Sequence, residues 1–295
     1  MVALPIALIS YGQAVLLGLL QGFSELFPIS SLGHSVILPR LLGWNIHQND
    51  SFFVTFLVAT HLATALVLLA FFRRDWARIL RGLGRSLRNR EIGADTDARL
   101  GWLLVVGTVP AGLLGLLLEH ALRDLFASGR SAAFFLILNG VMLYGAERLR
   151  RRAPVVESGE DPAVADARIA NRVSWRGALA VGAAQAVALV PGFSRSGATM
   201  GGGLLVGLSN EDAARYAFLL ATPIIGAAAA LKLPDLFGSS GNGVRGPALV
   251  GAVCSAATAY LAVRFLMRYF ETNRLTPFAA YCVAAGVAAS LYLAF

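Results

Sequence analysis

Two apolar stretches of this chain are broken at lengths that cannot cross a membrane. Residues 12–27 end at Pro28, and 34–44 resume beyond the polar patch QGFSELFPISSLGHS (21–35). Residues 176–190 end at Pro191, and 198–208 follow a second patch, PGFSRSGAT (191–199). A spanning helix needs about 20 apolar residues, so each half-helix is too short. Each pair reads as a re-entrant hairpin: helix, irregular loop, helix. Non-helical backbone at membrane depth is tolerated only where it is buried in protein or lines a wet cavity. The competing reading is one kinked spanning helix per stretch. Two prolines, each followed by a loop rich in serine and glycine, favour the hairpins.

Six further stretches have the length and character of membrane spans, at about 52–72, 101–118, 131–147, 213–231, 247–267 and 277–295. The composition agrees: 57% of residues are hydrophobic and 14% are charged, where a soluble domain carries about a quarter charged. The expected fold class is an all-α polytopic membrane protein, with six transmembrane helices plus two re-entrant helix–loop–helix hairpins.

The hairpins also mark a repeat. Ser30-Ser31-Leu32-Gly33-His34-Ser35 aligns with Ser194-Arg195-Ser196-Gly197-Ala198-Thr199, and FLVAT (56–60) with FLLAT (218–222). Gln21 and Gln185 precede the two patches at nearly the same distance. Residues 1–150 form a first unit of one hairpin and three spans, 151–175 a cytoplasmic linker, and 176–295 a second such unit, all in one integral membrane domain. Three spans per unit is odd, so the units have opposite orientation, an inverted repeat about an axis in the membrane plane.

The net charge of +8 comes from 24 arginines and one lysine, Lys232. These residues sit between apolar stretches, which favours an orientation signal over a nucleic-acid footprint. The loop 73–99 holds eight arginines and 148–176 holds seven, against two in 119–132 and Lys232 with Arg245 in 232–246. The positive-inside rule places the first two loops in the cytoplasm and both termini outside. The first hairpin then enters from outside and the second from the cytoplasm, so that their tips meet near the midplane. RRDWARILRGLGRSLRNR (73–90) reads as a basic amphipathic helix on the cytoplasmic surface, and 155–168 as a mobile linker. Cys254 and Cys282 form no CxxC, so neither a disulfide framework nor a metal site is expected. The N-terminus has no basic n-region and no cleavage site, and is expected to be retained.

The two patches carry the chemistry. Gln21 and Glu25 are one helical turn apart on one face. An ionisable residue at membrane depth is a functional candidate. The natural counter-ion of Glu25 is Arg195, the only charged residue in 177–210. A buried ion pair clamping the halves is the bland alternative, but it leaves the surrounding Ser, Thr and His superfluous. Gly192 and Gly197 allow close backbone approach, Ser194, Ser196 and Thr199 supply hydroxyls, and Arg195 binds phosphate oxygens bidentately. The loop opens a helix near residue 198, whose free N–H groups favour an anion. Together these describe a phosphate cradle. His34 is a candidate proton carrier and Ser31 a candidate nucleophile. For Ser24, Ser30 and Ser35, capping of loop backbone is the favoured reading. His47, His61 and His120 show no partner in the sequence, and His61 reads as a packed, hydrogen-bonded core histidine.

At these residues the chain resembles the undecaprenyl-diphosphate phosphatase family, also called bacitracin-resistance proteins. Its first motif, Glu or Gln, three residues, then Glu, is matched by Gln21 and Glu25. Pro-x-Ser-Ser-x-Gly-His is matched by Pro28, Ser30, Ser31, Gly33 and His34. Pro-Gly-x-Ser-Arg-Ser-x-x-Thr is matched by Pro191, Gly192, Ser194, Arg195, Ser196 and Thr199. The resemblance implies hydrolysis of a long-chain polyprenyl diphosphate to the monophosphate and inorganic phosphate, which recycles a lipid carrier for peptidoglycan synthesis. It implies a bacterial cell membrane location, a site open to the outer face, and dependence on a divalent cation, Mg or Ca. The expected catalytic residues are Glu25, Ser31, His34 and Arg195, with Gln21, Ser30, Gly192, Ser194, Ser196 and Thr199 as substrate contacts. Glu25 is also the expected metal ligand. Gln21 in place of Glu leaves one carboxylate in the first motif. The attacking group is Ser31 or a water. The expected partners are the polyprenyl diphosphate and the lipid bilayer, with no nucleic acid; an oligomer is compatible with the sequence. The alternative function is a transporter or flippase for an anionic lipid phosphate, which would use Arg195 and the helix N-termini equally well.

Overall fold

The structure, a computed structural model, describes residues 9–46, 50–93, 95–126, 128–150, 161–238 and 242–294, with backbone alone at 119–126. All regular structure among these residues is helical. In chain order the helices are α1 Tyr11–Leu26, α2 Ser31–Leu41, α3 Ser51–Phe71, α4 Arg73–Asn89, α5 Thr96–Phe126, α6 Gly129–Arg150, α7 Pro162–Arg172, α8 Trp175–Ala186, α9 Arg195–Leu205, α10 Asn210–Phe237, α11 Arg245–Tyr269 and α12 Thr276–Tyr292. By length and composition α3, α5, α6, α10 and α11 can cross a membrane; α12 is apolar but has 17 residues.

Both stretches broken by proline fold as two short helices around a loop. Helix α1 opens with a capping box in which Ser10 Oγ accepts from the Gln13 amide and Gln13 Oε1 accepts from the Ser10 amide. It ends because Phe27 precedes Pro28 and is extended, at φ −67° and ψ 143°, the conformation a following proline imposes. Helix α8 runs into a 3-10 turn at Val187–Leu189 and stops at Val190, extended before Pro191. Helices α2 and α9 have 11 residues each, roughly 16 Å at 1.5 Å per residue, about half of a hydrocarbon core near 30 Å.

Small residues set the helix crossings around the hairpins. A Cβ on Gly18 of α1 would lie 2.4 Å from the Gly251 carbonyl oxygen of α11, and one on Gly182 of α8 would lie 2.3 Å from that of Gly107 in α5. The first helix of each hairpin thus meets one long helix of the other half of the chain, backbone against backbone, as small-residue crossings in membranes allow. Helix α3 packs against α10 and α11, and α6 against α12.

Helix α4 buries Asp75, Ile79, Gly82 and Ser86. Trp102 of α5 donates its indole N–H to Ser86 Oγ at 2.9 Å. The amphipathic helix expected over 73–90 buries Ile79 and leaves Leu80 and Leu87 exposed.

The expectation of a mobile linker at 155–168 is corrected over its described part. Residues 162–172 are a helix, capped by Asp161 Oδ1, which accepts from the Ala163 amide at 2.8 Å, and opened by Pro162. Its Asp166 is buried and accepts from Arg78 at 2.6 Å and from Arg215 at 2.7 Å. Arg215 also lies 2.8 Å from Asp75, and Arg168 binds both oxygens of Asp212. An aspartate–proline start and apolar residues at 165, 169 and 170 outweigh the polarity of the segment. Residues 155–160 lie outside the described residues.

Candidate active site

The two loop tips touch. A Cβ on Gly33 would lie 3.0 Å from the Gly192 Cα, and one on Gly197 would lie 3.3 Å from the Pro28 ring. Ser196 Oγ donates to the Phe27 carbonyl at 3.0 Å. Asn139 of α6 stitches both tips, donating to the Pro28 carbonyl and accepting from the Ser194 amide, each at 3.0 Å.

The loops share one construction. Ser30 and Ser194 are the N-caps of α2 and α9, and each side chain accepts the amide three residues on, from Gly33 and Gly197, both at 3.1 Å. Ser31 and Arg195 are therefore the first residues of their helices. The first amides of each helix have no intrahelical acceptor, and two positive helix ends converge here. Ser30 reaches its place with φ +69°, a left-handed conformation that costs a non-glycine residue about 1–3 kcal/mol.

Between the tips, Glu25 binds three groups. Arg195 donates to its Oε1, and Ser31 Oγ donates to its Oε2. Gln21 donates to the same Oε2 at 2.8 Å. Glu25 is 8% exposed and Gln21 1%. The expected ion pair exists, but it is more than a clamp. With Ser31, Ser194 and His61 it lines a cavity of about 370 Å³. The rest of the wall is mostly apolar, including Val54, Leu57, Leu189, Ile224 and Ala228, and Lys232 also lines it. An anion entering this cavity meets the guanidinium and two helix N-termini.

Several expected contacts face elsewhere. Ser196 and Thr199 are buried, and Thr199 Oγ1 donates to the Arg195 carbonyl at 2.8 Å. Gly192, with φ +107°, spends its freedom on α6: a Cβ there would lie 2.4 Å from the Ala132 carbonyl oxygen. Helix α9 begins at Arg195, three residues earlier than expected. His34 is turned to α12. Its Nδ1 is 2.7 Å from the Ser30 carbonyl, which can only accept, so Nδ1 carries a proton, and its Nε2 is 2.8 Å from the Tyr281 hydroxyl. In this arrangement the hydrogen bonds of His34 go to Ser30 and Tyr281 rather than to Glu25, Ser31 or Arg195.

His61 of α3 stands beside Gln21 and Glu25. Its Nε2 is 3.1 Å from Gln21 Nε2 and 3.4 Å from Glu25 Oε2. The sequence held a signal for it: FLVAT and FLLAT match, and the next residues, His61 and Pro223, do not. Asn139 was also missed, although it is the one amide side chain in 131–147. His47 and the side chain of His120 lie outside the described residues.

Among the described residues no three His, Cys, Asp or Glu side chains group as metal ligands. Glu25 offers one carboxylate, and the buried Gln21 Oε1 beside it has no hydrogen-bond partner. Glu25 lines the cavity and is the one carboxylate there that a hard cation could take, since Gln21 turns its amide nitrogen, not Oε1, towards it.

A helical chain with five helices long and apolar enough to cross a membrane, and a carboxylate, serine and arginine gathered between two loop tips, is a multi-pass membrane protein. The chain belongs to the bacitracin resistance protein BacA family, whose model matches residues 14–288. It is 51% identical to the undecaprenyl-diphosphatase of Mycolicibacterium paratuberculosis, over 97% of this chain and 98% of that protein. It is 51% identical to the undecaprenyl-diphosphatase of Mycobacterium avium, over 98% and 99%. It is 44% identical to undecaprenyl-diphosphatase 2 of Frankia alni, over 94% and 96%.

Proposed function

We infer that this protein hydrolyses undecaprenyl diphosphate to undecaprenyl phosphate and inorganic phosphate, and so returns a lipid carrier to peptidoglycan synthesis and confers bacitracin resistance. One observation carries the reading: Ser31 Oγ donates to a Glu25 carboxylate that Arg195 also holds, at the polar end of an apolar cavity. A serine bonded to a base is a nucleophile pair, and the guanidinium with two helix N-termini supplies the fixed positive field that phosphoryl transfer needs. The relatives named as diphosphatases favour this reading over the transporter alternative.

In the proposed reaction the diphosphate lies against Arg195 and the first amides of α2 and α9, with its tail among the apolar helices. Ser31 Oγ passes its proton to Glu25 Oε2 and bonds to the terminal phosphorus. The bond from that phosphorus to the bridging oxygen breaks, and the lipid monophosphate leaves with the electron pair and the proton from Glu25. Ionised Glu25 then takes a proton from water, whose oxygen attacks the phosphoserine. Phosphate departs, and the proton returns to Ser31. A divalent cation held by Glu25 would neutralise charge on the diphosphate.

The full architecture we infer is six spans, with α12 as the sixth, and two re-entrant hairpins in an inverted repeat whose cavity opens to the outer face. Lys232, in a segment that the positive-inside rule places outside, supports that opening. A cysteine at Ser128 should then label from outside and one at Arg88 only after permeabilisation; the reverse pattern removes the topology.

The deciding experiment is phosphate release from long-chain polyprenyl diphosphate by purified protein, with and without chelator. Turnover abolished by chelator and restored by Mg²⁺ or Ca²⁺ supports the hydrolase with its cation. Turnover indifferent to chelator removes the cation, and lipid translocation without phosphate release replaces the hydrolase by the transporter.

A further inference from the structure

His61 is a buried-side partner of the site that no motif includes, and its hydrogen bonds determine its chemical state. Its Nδ1 is 2.7 Å from the Leu57 carbonyl. A carbonyl only accepts, so Nδ1 carries the proton. Gln21 Nε2 lies 2.8 Å from Glu25 Oε2 and 3.1 Å from His61 Nε2. Turning the amide over would set its oxygen against the carboxylate, so the amide nitrogen must face Glu25. That nitrogen has two N–H groups, one for the carboxylate and one for the imidazole. An N–H on His61 Nε2 would oppose the second, whereas a bare lone pair accepts it. The hydrogen bonds then run Leu57 carbonyl from His61, His61 from Gln21, and Glu25 from Gln21 and from Ser31, with His61 Nε2 3.4 Å from Glu25 Oε2, beyond hydrogen-bond length.

We propose that His61 is a positioning residue for the hydrolysis, a neutral imidazole acceptor that holds the Gln21 amide and, through it, orients the Glu25 oxygen that receives the Ser31 proton. The pair also explains why the first motif tolerates an amide here. A carboxylate at position 21 has no N–H to share, while Gln21 donates in both directions. His61 lines the same cavity as Glu25 and Ser31, so nothing separates this chain of bonds from the reacting groups. The inference rests on the hydrolase reading above.

The test uses purified full-length protein and polyprenyl diphosphate. Relative to wild type, His61→Ala should lower kcat by roughly 10- to 100-fold, the size of a lost buried hydrogen bond, with KM changed by less than about threefold. His61→Gln, whose Oε1 can accept at the position of Nε2, should restore most of that loss. In a Gln21→Ala background, His61→Ala should add less than about threefold, because the acceptor has nothing left to hold. Full activity in His61→Ala, no rescue by His61→Gln, or independent effects of the two substitutions would each overturn the proposal. Nitrogen-15 spectra of the imidazoles, with His61 assigned by its loss in His61→Gln, give a reading independent of activity. A proton on Nδ1 and none on Nε2 at neutral pH is expected, and a proton on Nε2 overturns the assignment. Wild-type protein that releases no phosphate while showing this tautomer would instead count against the hydrolase reading alone.

Discussion

Ser31 and Arg195 hold the same place in two different loops, the first helical residue after a serine cap, and they bind the two oxygens of one carboxylate, Ser31 at Glu25 Oε2 and Arg195 at Oε1. The two loops share one construction, a serine cap that accepts the amide of a glycine three residues on. The difference between the two side chains sets a hydroxyl on one side of Glu25 and a cation on the other.

Arg195→Lys should lower kcat by about 100-fold or more, the scale of removing a fixed donor from a transition state. Charge is kept, but an ammonium cannot bind Glu25 Oε1 and a phosphate oxygen with one planar fork. Steady-state phosphate release measures it. Near-normal turnover in the lysine variant would show that a point charge suffices.

Ser30 gives a prediction about strain. Its φ of +69° is unfavourable for any residue with a Cβ, and its side chain caps α2. Ser30→Ala keeps the strain and loses the cap, at a cost of about 1 kcal/mol. Ser30→Gly loses the cap but releases the strain. Thermal unfolding in detergent should therefore rank Ser30→Gly at or above wild type and Ser30→Ala below it. The glycine variant should still be the slower enzyme than wild type, because the loop that aims Ser31 is freed. A glycine variant less stable than the alanine one would mean that the strain is not there.

Much of this arrangement was legible because membranes restrict backbone so severely. Pro28 and Pro191 end helices that cannot continue, so the two breaks are readable from the sequence alone. Glu25 and Arg195 were readable as partners because few charges occur at that depth. Orientation within the tips was not legible. Ser196 and Thr199 have the same chemistry as Ser194, but only the fold decides which hydroxyl meets the cavity. His34 and His61 could not be ranked, because whether a histidine reaches Glu25 depends on how α3 packs beside α1. The helix at 162–172 is hidden by its charge: Asp166 and Arg168 look solvated in sequence, and the fold pairs them with residues on α4 and α10.

Asp166→Ala tests that second cluster. It leaves Arg215 and Arg78 without one of their acceptors, and removing one member of a buried ionic group costs about 3–5 kcal/mol. A clear drop in the unfolding temperature is expected. Protein still folded at the assay temperature should retain kcat, because the cluster touches none of the residues around Glu25. Loss of kcat in the folded variant would tie the cluster to turnover.

The nucleophile can be settled by the fate of one oxygen. Ser31 donates to Glu25 Oε2, so its proton has a receiver in place, and its position at the start of α2 sets the oxygen beside the guanidinium that would hold the phosphate. If Ser31 attacks, Ser31→Ala should abolish turnover and leave binding nearly intact, because a bond-forming atom is removed. If Glu25 activates water directly, Ser31→Ala should keep measurable hydrolysis. Glu25→Gln stops both routes, so it cannot choose between them, although excess metal would partly rescue a ligand defect and not a missing base. Single turnover in oxygen-18 water separates the routes further. Direct attack places label in the first phosphate as the lipid product forms. A serine intermediate forms unlabelled, holds phosphate after the lipid monophosphate has left, and takes up label only when it is hydrolysed. Rapid acid quench should therefore trap phosphate on Ser31 at times when lipid product exceeds free phosphate. Equal appearance of the two products, no phosphoserine, and residual hydrolysis in Ser31→Ala together would exclude the serine route and leave Glu25 as the base for water.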